Sequence, residues 1–275
     1  MTSIRSRWQI PLLYLIYLSS GLSGCGGGAG GGAPAMSLSF ADEFDGAAGT
    51  RPDVTRWVND VGGNGWGNNE LQYYTNSTRN AALDGAGHLA LTAIAESMGG
   101  RAYTSARIKT QGLFEQAFGR FEARLQLPSG RGLWPAFWLL GNNVITSGWP
   151  ACGEIDVMEA IGSQPSVNRG SLHGPGYSGG AALTSRYTLP AGAGFDRDFH
   201  TFAIDWDSAG VRFSVDDQIY ATRTVVDLPP SGLWAFDHPF FLILDVAVGG
   251  NLPGSPDTTT VFPQQMLVDY VRVYR

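Results

Sequence analysis

Three carboxylates stand within six residues of one apolar stretch, Trp149-Pro-Ala-Cys-Gly-Glu154-Ile-Asp156-Val-Met-Glu159. In a regular strand successive side chains point to opposite faces. Glu154, Asp156 and Met158 would then share one face, and Ile155, Val157 and Glu159 the other. That register would push Glu159 into the core, at a cost of several kcal/mol for an unpaired charge. A β-bulge near Val157–Met158 turns Glu159 back to the face of Glu154 and Asp156. Three acids on one face repel each other, so at least one is expected to hold a proton near neutral pH. An ionised carboxylate and a protonated carboxyl across a glycosidic bond are what glycoside hydrolysis requires. Retaining chemistry needs the pair ~5–5.5 Å apart and inverting chemistry ~6.5–9.5 Å. Four effective strand steps would separate the two Glu Cα atoms by ~13 Å if the strand were straight, so spacing leaves the stereochemistry open. The competing readings are a metal cluster and a solvated face. Interleaved Trp149, Ile155, Val157 and Met158 argue against a solvated face, and calcium normally draws its oxygens from a loop.

The elements that must position these acids read as strands. Phe121, Ala123, Leu125 and Leu127 alternate with Glu122, Arg124 and Gln126, the period of a half-buried antiparallel strand. Similar runs cover 88–95, 105–110, 199–206, 211–215, 240–248 and 267–274. Turn formers separate them: Asn64-Gly65, Asp84-Gly85, Pro128-Ser-Gly130 and Pro253-Gly254. No window longer than ten residues carries a convincing 3.6 period, and no repeat of 20–50 residues is present. The expectation is an all-β, two-sheet sandwich or jelly roll, with one sheet bent into a concave face for an extended ligand.

Composition agrees and excludes other classes. Of 275 residues, 43% are hydrophobic, 12% aromatic and only 15% charged, which rules out a coiled coil or a disordered chain. The 38 glycines are about twice the usual share. Lys109 is the only lysine, the net charge is −6, and no basic run exists. A nucleic acid would need a basic stripe, so the expected ligand is neutral.

The N-terminus reads as an address. Arg5 and Arg7 precede an apolar run, Ile10–Leu18, and then Leu22-Ser-Gly-Cys25. These are the parts of a secretory signal, and the apolar run is short of the ~20 residues that span a bilayer. Leu-Ser-Gly-Cys is similar to the lipobox of bacterial lipoproteins, in which Cys25 would be lipidated; an ordinary cleaved signal is the alternative. Removal of Arg5 and Arg7 would take the net charge from −6 to −8. Residues 26–35, Gly/Ala-rich, would be a tether spanning roughly 17 Å. That leaves 36–275 as a single domain, expected to be a monomer held to a membrane through Cys25. Cys152 is expected to be a small buried residue, since no histidine lies close to it in sequence.

Glu154-Ile-Asp-Val-Met-Glu159 resembles the E-x-D-x-x-E signature of glycoside hydrolase family 16 in its bulged, laminarinase-like form. Phe40-Ala-Asp-Glu-Phe-Asp-Gly46 resembles the family's first strand. Gly65-Trp-Gly-Asn-Asn-Glu-Leu-Gln-Tyr-Tyr-Thr75, Gly132-Leu-Trp-Pro-Ala-Phe-Trp138 and Val246-Ala-Val-Gly-Gly-Asn-Leu-Pro-Gly254 resemble laminarinase stretches in the expected order. The resemblance implies a β-jelly roll and endo-cleavage with retention of β-1,3- or mixed β-1,3/1,4-glucans. By position it makes Glu154 the nucleophile, Glu159 the general acid/base and Asp156 the residue that orients and tunes Glu154. No catalytic cofactor is implied. One departure is Ala160, where relatives often carry an aromatic.

Flat indoles suit the apolar faces of sugar rings. Trp134 and Trp138 share a strand face by their spacing, and Trp149 and Trp66 lie near the other motifs. Trp57, Trp206 and Trp234 are assigned to the core. Asn68, Glu70, Arg107 and Asn251 could bond hydroxyls, and His173 resembles a cleft histidine of the family, with a structural histidine as the rival. Asp269 shares parity with Leu267, Val271 and Val273, and an acid on an apolar parity wants a cation or several donors. Related enzymes often hold a structural Ca²⁺ there, with backbone oxygens that would lie near Glu43 and Gly87; a hydrogen-bonded Asp269 is the rival. The leading function is thus a tethered endo-β-1,3-glucanase. A mixed-linkage glucanase and a surface glucan-binding protein that does no chemistry are the alternatives.

Overall fold

The alternation of Phe121–Leu127 is realised in strand Gly119–Gln126, where Phe121, Ala123 and Leu125 are buried and Arg124 and Gln126 reach the surface. Glu122 is buried too, held by Arg120 at 2.8 Å. This strand lies in the middle of an eight-stranded sheet of the computed structural model, which describes residues 36–275. Met36–Arg275 forms a unit by itself. The signal-like segment, Cys25 and the Gly-rich stretch lie outside the described residues.

Two large antiparallel sheets form the sandwich, beside a short parallel pair of strands. The eight-stranded sheet runs Gln218–Arg223, Gly210–Val215, His200–Asp207, Gly119–Gln126, Gln264–Tyr274, Leu89–Ala93 and Ala81–Leu83, with Leu38–Asp42 also paired to Gln264–Tyr274. The seven-stranded sheet runs Leu183–Thr188, Val167–His173, Glu154–Ala160, Leu133–Gly141, Phe240–Val248, Arg107–Lys109 and Val58–Asn59. Side chains from both sheets share one core, including Phe121, Phe202, Val271, Ile155, Leu244 and Val246. This is the β-jelly-roll sandwich that the alternation predicts. Among the described residues the α-helix is a single turn, Val144–Ser147.

The seven-stranded sheet has a second populated face. Along Phe240–Val248, Phe240, Leu242, Leu244, Val246 and Val248 enter the shared core. Phe241 and Ile243 instead join Leu140 and Cys152 in a small cluster on the opposite face, with Trp138 and Val144 against it. Cys152 is thus a buried packing residue, as expected, and burial pushes its thiol up to about 11.

Three expectations change. The run 105–110 is two strands: Tyr103–Ser105 pairs in parallel with Gln72–Tyr74, and Arg107–Lys109 belongs to the seven-stranded sheet. Ala106, fully buried, is the joint. Trp57 and Trp206 are core residues, but Trp234 is only half-buried, packed edge-on to Phe236 at 4.9 Å. Most consequential is Asp269. The register of Gln264–Tyr274 shifts between Val268 and Tyr270, so the buried positions are Met266 and Val268 before the shift and Val271 and Val273 after it. Asp269 therefore leaves the apolar face that its parity implied. Its carboxylate pairs with Arg124 instead.

Candidate active site

Strand Glu154–Ala160 carries the bulge that the acids demand. Against Leu133–Gly141 its register goes from Asp156↔Trp138 to Met158↔Phe137, and against Val167–His173 from Asp156↔Ser171 to Glu159↔Arg169. Val157 and Met158 both turn into the core and are 1% and 0% exposed. Glu159 consequently joins Glu154 and Asp156 on the outward face of the sheet. The anchors are Ile155 and the Val157–Met158 pair, buried apolar side chains that would be lost to solvent if the strand slipped by one residue.

Each acid has a distinct set of neighbours. Trp149 Nε1 donates to Glu154 Oε2 at 3.0 Å, and Trp134 Nε1 donates to Glu159 Oε1 at 3.1 Å. The Glu159 backbone N–H donates to Asn168 Oδ1 at 3.2 Å, and Asn168 in turn donates to the Tyr220 hydroxyl. His173 Nε2 stands 2.9 Å from Asp156 Oδ2 and 3.6 Å from Glu154 Oε1. The Asp156 contact lies off hydrogen-bond direction, so Oδ2, buried, has no protein donor among the described residues. Gly179 N–H donates to His173 Nδ1 at 3.1 Å, which leaves the ring proton on Nε2, facing the acids.

The electrostatics follow from this crowding. Burial, followed by the charge of Asp156, raises Glu154 to about 8. Burial and then Asp245 raise Asp156 to about 8. Burial and then Asp156 raise Glu159 to about 7, while the Trp134 N–H pulls it down. Such close carboxyls titrate as a set, so the protons belong to the cluster. The arrangement can present one carboxylate and one carboxylic acid side by side near neutral pH.

The structure places most of the expected binding residues around the acids. Trp134 and Trp138 are half-buried on the same sheet face, and Trp149 is 50% exposed. Trp66 and Trp138 sandwich the Arg107 guanidinium at 5.0 and 4.7 Å from their ring centres. Arg107 also pairs with Asp60 at 3.0 Å, so it braces two rings rather than standing free. Asn251 accepts from Asn69 Nδ2 at 2.9 Å, and its N–H donates to Asn68 O at 2.8 Å, which locks two loops together. Gly250 makes that approach feasible: its φ is +107°, and a Cβ there would sit 3.1 Å from Asn68 O. Glu70 is buried and accepts from Gln72 at 2.5 Å, so it faces protein more than solvent; burial and then Asp245 raise it to about 7.

Residues without a role in the sequence reading complete the site. Asp245 accepts from Trp138 Nε1 at 2.7 Å and from the Tyr74 hydroxyl at 3.0 Å. Its signal was visible: one acid in the otherwise apolar run Phe240–Val248. Asn168 gave no signal, since nothing local marks it. Of the residues named for calcium, two have side chains that hold arginines. Asp269 holds Arg124, and Glu43 holds Arg272 through two contacts of 2.8 Å. Among the described residues the cluster of acids and histidine that could gather around an ion is Glu154, Asp156 and His173.

Residues 66–272 match glycosyl hydrolases family 16. A β-glucanase of Rhodothermus marinus is 41% identical, over 94% of this chain and 93% of its own. The laminarinase catalytic domain of Thermotoga maritima superposes with a TM-score of 0.81 at 47% identity, covering 87% of this chain and 98% of the other. An endo-β-1,3-glucanase of Pyrococcus furiosus gives 0.82 at 43%, covering 87% and 94%. With a match across most of the sandwich and likeness of this order, the chain belongs to glycosyl hydrolases family 16 and is a glycoside hydrolase.

Proposed function

We propose that this hydrolase cleaves internal β-1,3 linkages of a laminarin-like β-glucan with retention, Glu154 acting as nucleophile and Glu159 as general acid/base. The observation that carries the reading is the bulge at Val157–Met158, which aims both glutamates outward, each against its own tryptophan N–H. In the first step the Glu154 carboxylate bonds to the anomeric carbon. The Glu159 proton passes to the departing glycosidic oxygen as that bond breaks. In the second step a water oxygen bonds to the same carbon, its proton goes to Glu159, and Glu154 is released. The Trp149 N–H supports the ionised Glu154. Indoles of Trp134 and Trp138 offer flat faces to sugar rings. A non-catalytic glucan binder would have no use for three crowded, mutually repelling acids.

Product analysis on laminarin, lichenan and agarose in parallel tests the reading. Laminarin oligosaccharides released with retained β-configuration are expected. Preference for lichenan would move the assignment to mixed-linkage glucan, and binding without cleavage of any substrate would sink it. The same proposal includes export and a lipid anchor at Cys25, with the protein working as a monomer. Incorporation of labelled palmitate into the full chain but not into Cys25→Ala checks the anchor. A structural calcium at Asp269, with backbone oxygens near Glu43 and Gly87, would take no part in these steps; the Arg124 pair is its rival, and thermal melting with and without EDTA decides between them.

A further inference from the structure

The acids used above do not account for Asp245, a fourth carboxyl on the same sheet face. It sits at the centre of Phe240–Val248, opposite Ala136 on one side and Arg107 on the other. Only 6% of its surface is exposed. Both of its oxygens accept a hydrogen bond, Oδ1 from Trp138 Nε1 and Oδ2 from the Tyr74 hydroxyl. Asp156, whose strand lies two away, is as deeply buried, and among the described residues its Oδ2 has no hydrogen-bond donor, His173 Nε2 at 2.9 Å lying off direction. The charge of Asp245 acts on Asp156, and two such carboxyls out of water do not both ionise at little cost. The negative charge goes to the one with donors and the proton to the one without.

We propose that Asp245 is a positioning residue of the hydrolase: as a carboxylate fixed by Trp138 and Tyr74, it keeps Asp156 protonated as a donor towards Glu154. The role rests on the glucanase reading and adds to it the device that sets the state of the central acid. The surroundings on every side fit. Burial raises Asp245 above the ordinary carboxylate range; Arg107, from the Arg107–Lys109 strand, and the Trp138 and Tyr74 donors work against that rise, and Asp60 beyond Arg107 adds to it. From the Gln72–Tyr74 strand comes the hydroxyl donor, and from the adjoining loop Glu70, a further acid that Asp245 holds towards its neutral form. From Leu133–Gly141 comes the Trp138 indole, so the carboxylate also fixes the ring that Arg107 stacks on. On the far side Asp156 faces Glu154 and His173, their nearest ligand atoms all within 4.8 Å of one another. A protonated Asp156 there can share its proton with Glu154, whereas an ionised one would repel it.

The experiment is the pH dependence of kcat/KM on laminarin for wild type, Asp245→Asn and Tyr74→Phe, with circular dichroism as the fold check. Asparagine keeps the shape and an acceptor for Trp138 but removes the charge. Asp156 then gives up its proton at lower pH, so the alkaline limb moves down by about one pH unit, the size that a single nearby charge produces. Tyr74→Phe weakens the hold on the carboxylate and moves the limb the same way by less. If Asp245→Asn fails to fold, Tyr74→Phe decides by the same criterion. Limbs that superimpose on wild type, even with a uniformly lower rate, would overturn the proposal, since a merely structural loss lowers rate at every pH alike. A folded wild type inactive on laminarin and lichenan at all pH values would instead overturn the functional reading itself.

Discussion

Two strands of this molecule place a β-bulge beside an acid, and the outcomes are opposite. In Glu154–Ala160 the bulge gathers three acids onto one crowded face, where burial and mutual repulsion push all of them up. In Gln264–Tyr274 the bulge takes Asp269 off the core face and hands it to Arg124, at a partly exposed position. The backbone device is the same. What differs is the neighbour: indole N–H groups and other acids in one case, a guanidinium in the other. A bulge re-aims a side chain, but only the company it then keeps decides whether the acid becomes reactive or merely paired.

The sharpest way to break this contrast is to remove the acids where they are crowded. Glu154→Ala is expected to lower laminarin hydrolysis by at least about 10⁴-fold, the scale of losing a nucleophile, with the fold intact by circular dichroism. Hydrolysis at the wild-type rate would end the assignment. Glu159→Gln is expected to lose about 10²–10⁴-fold, the usual share of a general acid/base. That loss should shrink for an aryl glucoside whose leaving group needs no proton. A deficit equal for both substrates would deny Glu159 the acid role.

Crowding also has a stability signature. Asp156 is raised from 3.8 to about 8 in the folded protein. Between these values the folded state holds a proton that the unfolded state has released, so stability falls as pH rises through this window. Asp156→Asn removes that dependence. Its Tm should exceed wild type by about 2–4 °C at pH 8 if a single kcal/mol is relieved, with a smaller difference at pH 5. An equal difference at both pH values would show that the cluster is not linked to protons.

How much of this was legible in sequence depends on the same two bulges. The first was readable because Glu159 on the parity of Ile155 and Val157 was too costly to accept. Asp269 posed the same conflict with Leu267, Val271 and Val273, yet a bound cation offered another way out, and parity alone cannot choose between a bulge and a partner. Arg124 lies on the neighbouring strand, and only the pairing of the two strands brings it there. Asp245 shows the other limit. Its oddity in an apolar run is visible, but its donors, Tyr74 and Trp138, arrive from sequence positions 171 and 107 residues away. Strands with a full apolar face were readable, whereas Leu183–Thr188, exposed on alternate residues at the sheet edge, carried too weak a pattern.

The smallest effect belongs to the paired acid. Asp269 and Arg124 keep 29% and 40% of their side chains in solvent, and exposed ion pairs contribute about 0–1 kcal/mol. Asp269→Asn should therefore lower Tm by no more than about 2–4 °C, less at high salt because exposed charges are screened. Its kcat/KM on laminarin should match wild type, because the residue lies on the eight-stranded sheet, away from the acids. EDTA should leave the wild-type Tm unchanged if arginine is the partner. A fall in Tm with EDTA that Asp269→Asn abolishes would put calcium in place of the guanidinium, and the second bulge would then serve a metal rather than an ion pair.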